Sequence, residues 1–291
     1  MCTTPLPFQD NFVLNKPSLA YLCAKGRKGG ESTMERFTRP SCLAMLNTNV
    51  LRDDWLEEKM IPPRLNDTPE RTIINFYSGL QALNGTDRSK FIAFSYGFLA
   101  PSLQRKVSME EVEDRLNGIS GIHLIKIIRL AKDRNQLFAT RFFIELEILE
   151  ESSNEKRGTR FSYLYGFMDV IQEQNVYRIS QYEFEGEKFQ PRYDYEWNYN
   201  GESYVDIHYG CHCNLVENRY PTRKDGYVKN IFVKGIDQKD YLFRFVELTN
   251  GVDFEIQSFQ KDAAGQWIPT KIQLSPPSSK ENDNKEEELN K

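Results

Sequence analysis

The sequence predicts an α+β protein: three N-terminal helices packed on a curved four-stranded antiparallel sheet, followed by a small antiparallel β-rich module. Three observations predict it. Between residues 67 and 121, apolar side chains recur at helical spacing behind recognisable caps. From 122 to 185 the period changes to two, in stretches separated by polar turns. After Gly186, short aromatic and β-branched runs continue, divided by Asp-Gly and Asn-Gly turn signals.

The first helix belongs to LNDTPERTIINFYSGLQALN. Thr68 is placed to cap it, Pro69 suits its first turn, and Glu70 sits at the positive end of the helix dipole. Ile73, Phe76, Tyr77, Leu80 and Leu83 then share one face, and NGTDRS breaks the helix. The second helix covers KFIAFSYGFLAPSLQ and stops near Pro101. The third starts at a capping box made by Ser108 and Glu111, carries Val112, Leu116 and Ile119 as its apolar stripe, and ends at Gly118 and Gly121.

The strands follow. GIHLIKIIRL is strongly apolar, with His123 on the side of Ile125 and Ile127. FATRFFIELEILEE puts Phe142, Ile144, Leu146 and Ile148 on one face, with Arg141, Glu145 and Glu147 opposite. SSNEKRG is a hairpin loop, TRFSYLYGFMDVI the return strand, QEQN a turn, and VYRISQYEFEG the closing strand. Helices then run before a meander, which places them on one face of the sheet.

This order, with the motif Thr68-Pro69-Glu70…Phe76-Tyr77, resembles the nuclear-transport-factor-2-like superfamily over about residues 67–186. The resemblance implies a cone: a bent sheet wrapped around helices with a pocket between them. The superfamily includes enzymes such as ketosteroid isomerase and many binding or accessory domains, so fold alone does not choose a function. Enzymes of this cone use Asp, Tyr or His groups in the pocket as acid, base or oxyanion donor. Here the resemblance offers His123, Asp169 and Tyr163 as catalytic candidates. Tyr96, His123, Tyr163 and Tyr165 are the candidate ligand-binding lining. Alternating strand tyrosines and a lone histidine on an apolar face are more often packing, so the non-catalytic reading leads. Members of the superfamily often dimerise through the open sheet face. A homodimer is therefore expected as an option, weakened by the charge of Arg141, Glu145 and Glu147.

In the second module, Tyr193, Tyr195, Trp197 and Tyr199 recur at every second residue, lining one strand face. Such a row can stack sugars, bases or a peptide, but core packing is its commoner use. SYVDIHY, YVKNIFVKG, YLFRFVEL, VDFEIQSF and QWIPTKI all read as strands. HYGCHCN extends the first of them and raises a metal question. On a continuous strand, His208 and His212 point to one face while Cys211 and Cys213 point to the other, so they cannot close around one ion. A bulge at Gly210 would rescue convergence, with Asp206 or Glu217 completing a mixed set. A Cys211–Cys213 redox pair lacks the two-residue gap of the common motif. Edge-strand side chains are the favoured reading, and no cofactor is expected.

The totals narrow the class further. A net charge of −4 over 291 residues gives no general attraction to nucleic acid or anionic lipid. No apolar run reaches a membrane span, and no secretory start is visible. Five scattered cysteines make no disulfide framework, which points to a reducing cytoplasm. Residues 1–66 read as a poorly structured extension, 67–186 as the cone-like domain, 187–274 as the β-rich module and 275–291 as a disordered acidic tail. Lys28-Gly29-Gly30-Glu31 is encodable by a stretch containing AAGGAGG, a bacterial ribosome-binding sequence just ahead of Met34. Residues 1–33 are therefore either leader or a flexible Gly/Lys linker. The expectation is a soluble, non-catalytic bacterial protein that binds a partner protein or small apolar ligand. The alternatives are an isomerase, dehydratase or hydrolase using the cone pocket, and a metal-binding module at 208–213.

Overall fold

The computed structural model describes residues 61, 63–132, 138–151, 160–187 and 200–272. They fall into two compact units, one within Phe12–Gln190 and one including Pro191–Lys291. The expectations for residues 1–60, for the aromatic row at 193–199 and for the tail from 275 lie outside the described residues.

In the first unit, α1 spans Pro69–Ser78 as its cap residues require: the Thr68 hydroxyl accepts from the Arg71 amide, and Pro69 occupies the first turn. The expected second helix is instead two, α2 (Arg88–Tyr96) and α3 (Pro101–Gln104). The chain between them turns extended because it is needed by the sheet. The Ile179 amide donates to Phe98 O at 2.9 Å, and the Ala100 amide donates back to Ile179 O at 2.7 Å. Pro101 has no amide to lose and restarts the helix. The last helix, α4 (Met109–Arg115), carries the expected capping box, with both reciprocal bonds of Ser108 and Glu111 present. Among the described residues the first unit thus has four α-helices, not three.

The sheet is an antiparallel meander in the order β1-β2-β3-β4, with β1 at Ile119–Arg129, β2 at Ala139–Glu150, β3 at Arg160–Glu173 and β4 at Val176–Gly186. The tight β3–β4 turn puts Gln174 and Asn175 both at positive φ, 49° and 66°, which matches the right-handed twist of the flanking strands. Neither outer strand is left bare. The Leu83 amide donates to Ser120 O and the Ile122 amide to Leu80 O, both at 2.7 Å, along the free side of β1. The helix-facing side of the sheet is apolar: Ile122, Leu124, Phe142, Ile144, Leu146, Ile148, Leu164, Met168 and Ile179 pack with Ile73, Ile92 and Phe98 into one core.

A bulge changes β1 in a way its alternation hides. Pairing with β2 runs His123↔Glu147 and Leu124↔Leu146, then shifts to Lys126↔Glu145 and Ile127↔Ile144. The extra residue turns Lys126 onto the face away from the helices and Ile127 onto the core face. His123 therefore shares its face with Lys126, not with Ile127 as strict alternation predicts.

The second unit has a six-stranded sheet in the order β10-β9-β8-β7-β5, with β6 also paired to β7. Its strands are β5 (Val216–Arg219), β6 (Arg223–Asp225), β7 (Val228–Gly235), β8 (Asp240–Glu247), β9 (Asp253–Lys261) and β10 (Trp267–Pro269). The four later strand expectations correspond to β7, β8, β9 and β10. The Asn250–Gly251 turn joins β8 to β9, with only Gly251 at positive φ, 80°.

The expected strand SYVDIHY is helical. One turn of α-helix, α5 (Gly201–Tyr204), runs straight into a π-helix over Val205–His212. Asn200 starts it, its side chain accepting from the Glu202 and Ser203 amides. Gly201, Val205 and Tyr209 are buried at a spacing of four, and Val205 and Tyr209 pack on Ile231, Val233, Phe243 and Phe245. Among the described residues, no helix is long and apolar enough to cross a membrane.

Candidate functional site

Three places collect the side chains that carry chemistry. The first is the face of the β1–β4 sheet turned away from the helices. Strand pairing there sets His123, Glu147 and Tyr163 in one row and Lys126, Glu145 and Tyr165 in the next. His123 Nδ1 lies 3.0 Å from Glu147 Oε2, and the Tyr163 hydroxyl donates to Glu147 Oε1 at 3.4 Å. Lys126 pairs with Glu145. The Tyr165 hydroxyl donates to Glu185 Oε2 at 3.2 Å. This face was expected to be open and charged. It is charged, and its central side chains are buried: Glu145 and Glu147 are only 0% and 1% exposed, and Phe143 is fully buried. Carboxylates at that depth persist because each is matched by a neighbour on β1. Burial, with the Glu147 carboxylate next, pushes the Tyr163 phenol well above its ordinary range. Burial, and then Glu185, does the same to Tyr165.

At the far end of this face, Arg141 reaches Asp169 Oδ2 at 3.3 Å and Glu183 Oε2 at 3.4 Å, with its guanidinium over the Phe167 ring at 4.8 Å. Burial raises the Asp169 carboxyl above its ordinary value, Arg141 opposes that, and Glu183 adds to it. Just before β2, Phe138 is 90% exposed.

The predicted pocket residues are thus divided. His123 and Tyr163 meet at Glu147, and Tyr165 stands one row on. Asp169 shares their face but lies about 20 Å from Tyr163 along β3, at roughly 3.3 Å per residue. His123 and Asp169 therefore do not converge on a common reacting atom. Tyr96 sits on the other side of the sheet among the helices, its hydroxyl donating to Val107 O at 2.9 Å. The space between helices and sheet, where the resemblance implies a pocket, is occupied by Ile73, Leu83, Ile92, Phe98, Phe142, Ile144, Met168 and Ile179, each less than 2% exposed.

The second place is the π-helix. Tyr204 stacks on His208 at 4.8 Å, and Tyr209 stacks on Phe243 at 4.1 Å. The Tyr209 hydroxyl lies 3.2 and 3.0 Å from the two oxygens of Glu255 on β9. Burial pushes the Glu255 carboxyl up to about 7, against the Tyr209 hydrogen bond, which lowers it. Burial, then His212, lowers the His208 imidazole. Cys211 is exposed and Cys213 half-buried, neither in a disulfide. The helical path replaces the two-faced strand expected for His208, Cys211, His212 and Cys213. Among the described residues, no three His, Cys, Asp or Glu side chains gather as a metal-ligand set. Glu255 was missed in the sequence because it sits in a regular strand alternation. Only its long-range neighbour Tyr209 marks it.

The third place is a surface depression lined by Arg88, Glu110, Glu113, Asp114 and Asn117. Arg88 is spent on the fold, donating to the carbonyls of Leu83 and Ile119 at 2.9 and 2.8 Å.

No family model matches the chain, and no curated protein matches it. A solved structure described as an "Ntf2 like protein involved in plasmid conjugation" is similar over 69% of this chain and 96% of its own, at 6% identity and a TM-score of 0.26. The fold described above stands on strand register and packing alone.

Proposed function

We propose that the chain is a non-catalytic binding protein that engages a protein partner through the Arg141 end of the first sheet. The observation that carries this reading is the division of the site residues. The side chains expected to line one small-ligand pocket fall on opposite sides of the sheet, while the Arg141 end is half-buried and amphipathic. Arg141, Phe167, Asp169 and Glu183 form a cation–π and ion-pair cluster there, and the exposed Phe138 precedes Arg141 by three residues in the chain. Aromatic and arginine anchors inside a polar rim are the composition of protein-binding hot spots.

A photoreactive amino acid in place of Phe138, expressed in the native host, tests the reading. The expected result is a discrete adduct to a protein, absent when the label replaces the exposed Met109 on α4. Labelling equal at both positions, or a stoichiometric small molecule in native mass spectra without a protein adduct, would overturn it.

A further inference from the structure

The sheet of the second unit has two faces, and the π-helix uses one of them. Val205 and Tyr209 pack there on Ile231, Val233, Phe243 and Phe245. Strand register sets what the other face carries. Arg223 stands opposite Asn230, and Asn230 opposite Arg244. Phe232 stands opposite Leu242, Leu242 opposite Phe259, and Trp267 opposite Lys261. These residues alternate with the packed set, so their side chains share the face turned from the π-helix.

Rings and cations interleave on this face. The Arg223 guanidinium lies 5.2 Å from the centre of the Phe232 ring, and that of Arg244 lies 5.0 Å from Phe259. The Lys261 ammonium is 5.7 Å from the Trp267 ring. Phe232 and Trp267 stand on β7 and β10, three strand spacings apart, yet their rings meet at 5.7 Å. Both lean over Leu242 and Phe259, which are buried, and stay half-buried themselves. The result is a continuous aromatic platform with a cation at each end. The exposed Tyr220 is tied to β7 by its amide, which donates to Phe232 O at 2.9 Å.

The charge balance gives the chemistry of the occupant. The carboxylates of this face are Asp225, at its edge, and Asp240, which lies 3.4 Å from Lys234 and 3.7 Å from Lys261. Among the described residues, neither Arg223 nor Arg244 has a carboxylate within ion-pair distance. Arg244 Nε donates to Asn230 Oδ1 at 3.1 Å, one donor of a planar fork suited to phosphate. The chain as a whole carries a net charge of −4, so the excess of cations is local to this face. We propose that the face binds single-stranded nucleic acid. Its bases stack on the Phe232–Trp267 platform and on the guanidinium planes, and its phosphates meet Arg223, Arg244 and Lys261. A single strand supplies both halves of that match. A duplex hides its base faces, and an acidic peptide has none. With about three phosphates neutralised, log K falls with log salt at a slope of about −2.

Fluorescence anisotropy of the full chain with labelled oligo(dT) and oligo(U) of about 15 nucleotides, between about 50 and about 300 mM sodium chloride, tests this. The expected result is binding of one or both strands with that slope, the tighter one naming the sugar. Arg223 and Lys224 are neighbours on β6 that face opposite sides, Lys224 being paired with Glu247 at 2.8 Å. R223Q should therefore weaken binding severalfold and flatten the slope by about 0.7, while K224Q, with the same change of charge, leaves both as they were. W267A should lose about fivefold or more, the usual worth of one stacked base. Absence of binding at about 50 mM salt, or equal losses in R223Q and K224Q, overturns the proposal. So does equal affinity for a duplex of the same length or for a polyglutamate peptide. Should W267A fail to fold, the comparison of R223Q with K224Q decides.

Discussion

Gly166 on β3 lies so close to Glu183 on β4 that a methyl group at position 166 would overlap the Glu183 carbonyl oxygen. The clash is with backbone on a paired strand, which cannot move without disturbing the ladder from Phe167↔Glu183 to Met168↔Tyr182. The absence of a side chain at 166 is what lets β4 seat, and the Arg141–Glu183 pair follows from that seating.

Replacing Gly166 with alanine is therefore expected to destabilise the first unit by about 1–3 kcal/mol, the usual range for overpacking. Gly85 is the control: a methyl group there meets nothing within 4 Å. Urea unfolding should show G166A well below the parent and G85A within about 0.5 kcal/mol of it. Equal midpoints for the two variants would mean that β3 and β4 are not so closely seated.

The start of α1 rests on one hydroxyl. Thr68 Oγ1 accepts from the Arg71 amide at 3.2 Å. T68A leaves that amide without its cap and should cost about 1 kcal/mol, whereas T68S should retain most of the stability. Thermal melts of the two variants check this. A serine variant as weak as the alanine would assign the loss to the methyl group instead.

Arg141 sets how far Asp169 can be raised. The folded carboxyl already sits above its ordinary value, so the folded chain keeps a proton that the unfolded chain has released. Its contribution to stability is complete below the ordinary aspartate value and falls away as pH rises through the raised one. R141M removes the cation that opposes the shift and leaves Glu183, which adds to it. The variant should lose stability more steeply than the parent as pH rises above the ordinary aspartate value, seen as urea midpoints at each pH. Parallel curves would show that Arg141 does not govern Asp169.

How much of this could be read from residues alone depended on whether the deciding contact was local. The Thr68 and Ser108 caps, the Gln174–Asn175 turn and the alternation of β2 are local, and each stands where the sequence predicts. The break of the second helix is not local, because Ile179 on β4 draws Phe98–Ala100 out of the helix. At 201–212, Val205, Ile207 and Tyr209 suit a strand, while Gly201, Val205 and Tyr209 suit a helix. The choice falls to Asp253, whose carboxylate accepts from the Gly201 amide at 2.9 Å, and to Phe243, which stacks on Tyr209. The candidate site suffered most from the bulge after Leu124. One extra residue exchanges the faces of Lys126 and Ile127, and no propensity or period announces it.

That exchange leads to the sharpest stability test. Lys126 and Glu145 are paired on the face away from the helices, with side chains 8% and 0% exposed. Two charges taken that far from water repay their desolvation only through each other and the polar groups around them. Removing one partner strands the other, so K126M alone should cost about 3–5 kcal/mol, as breaking buried pairs generally does. Replacing both, as in K126M/E145M, removes the stranded charge and fills similar volume, and should recover much of the loss. If Lys126 instead followed strict alternation into the apolar core, methionine there would be tolerated or stabilising by itself. A single variant as stable as the parent would therefore refute the bulge, and with it the placement of His123, Glu147 and Tyr163 in one row.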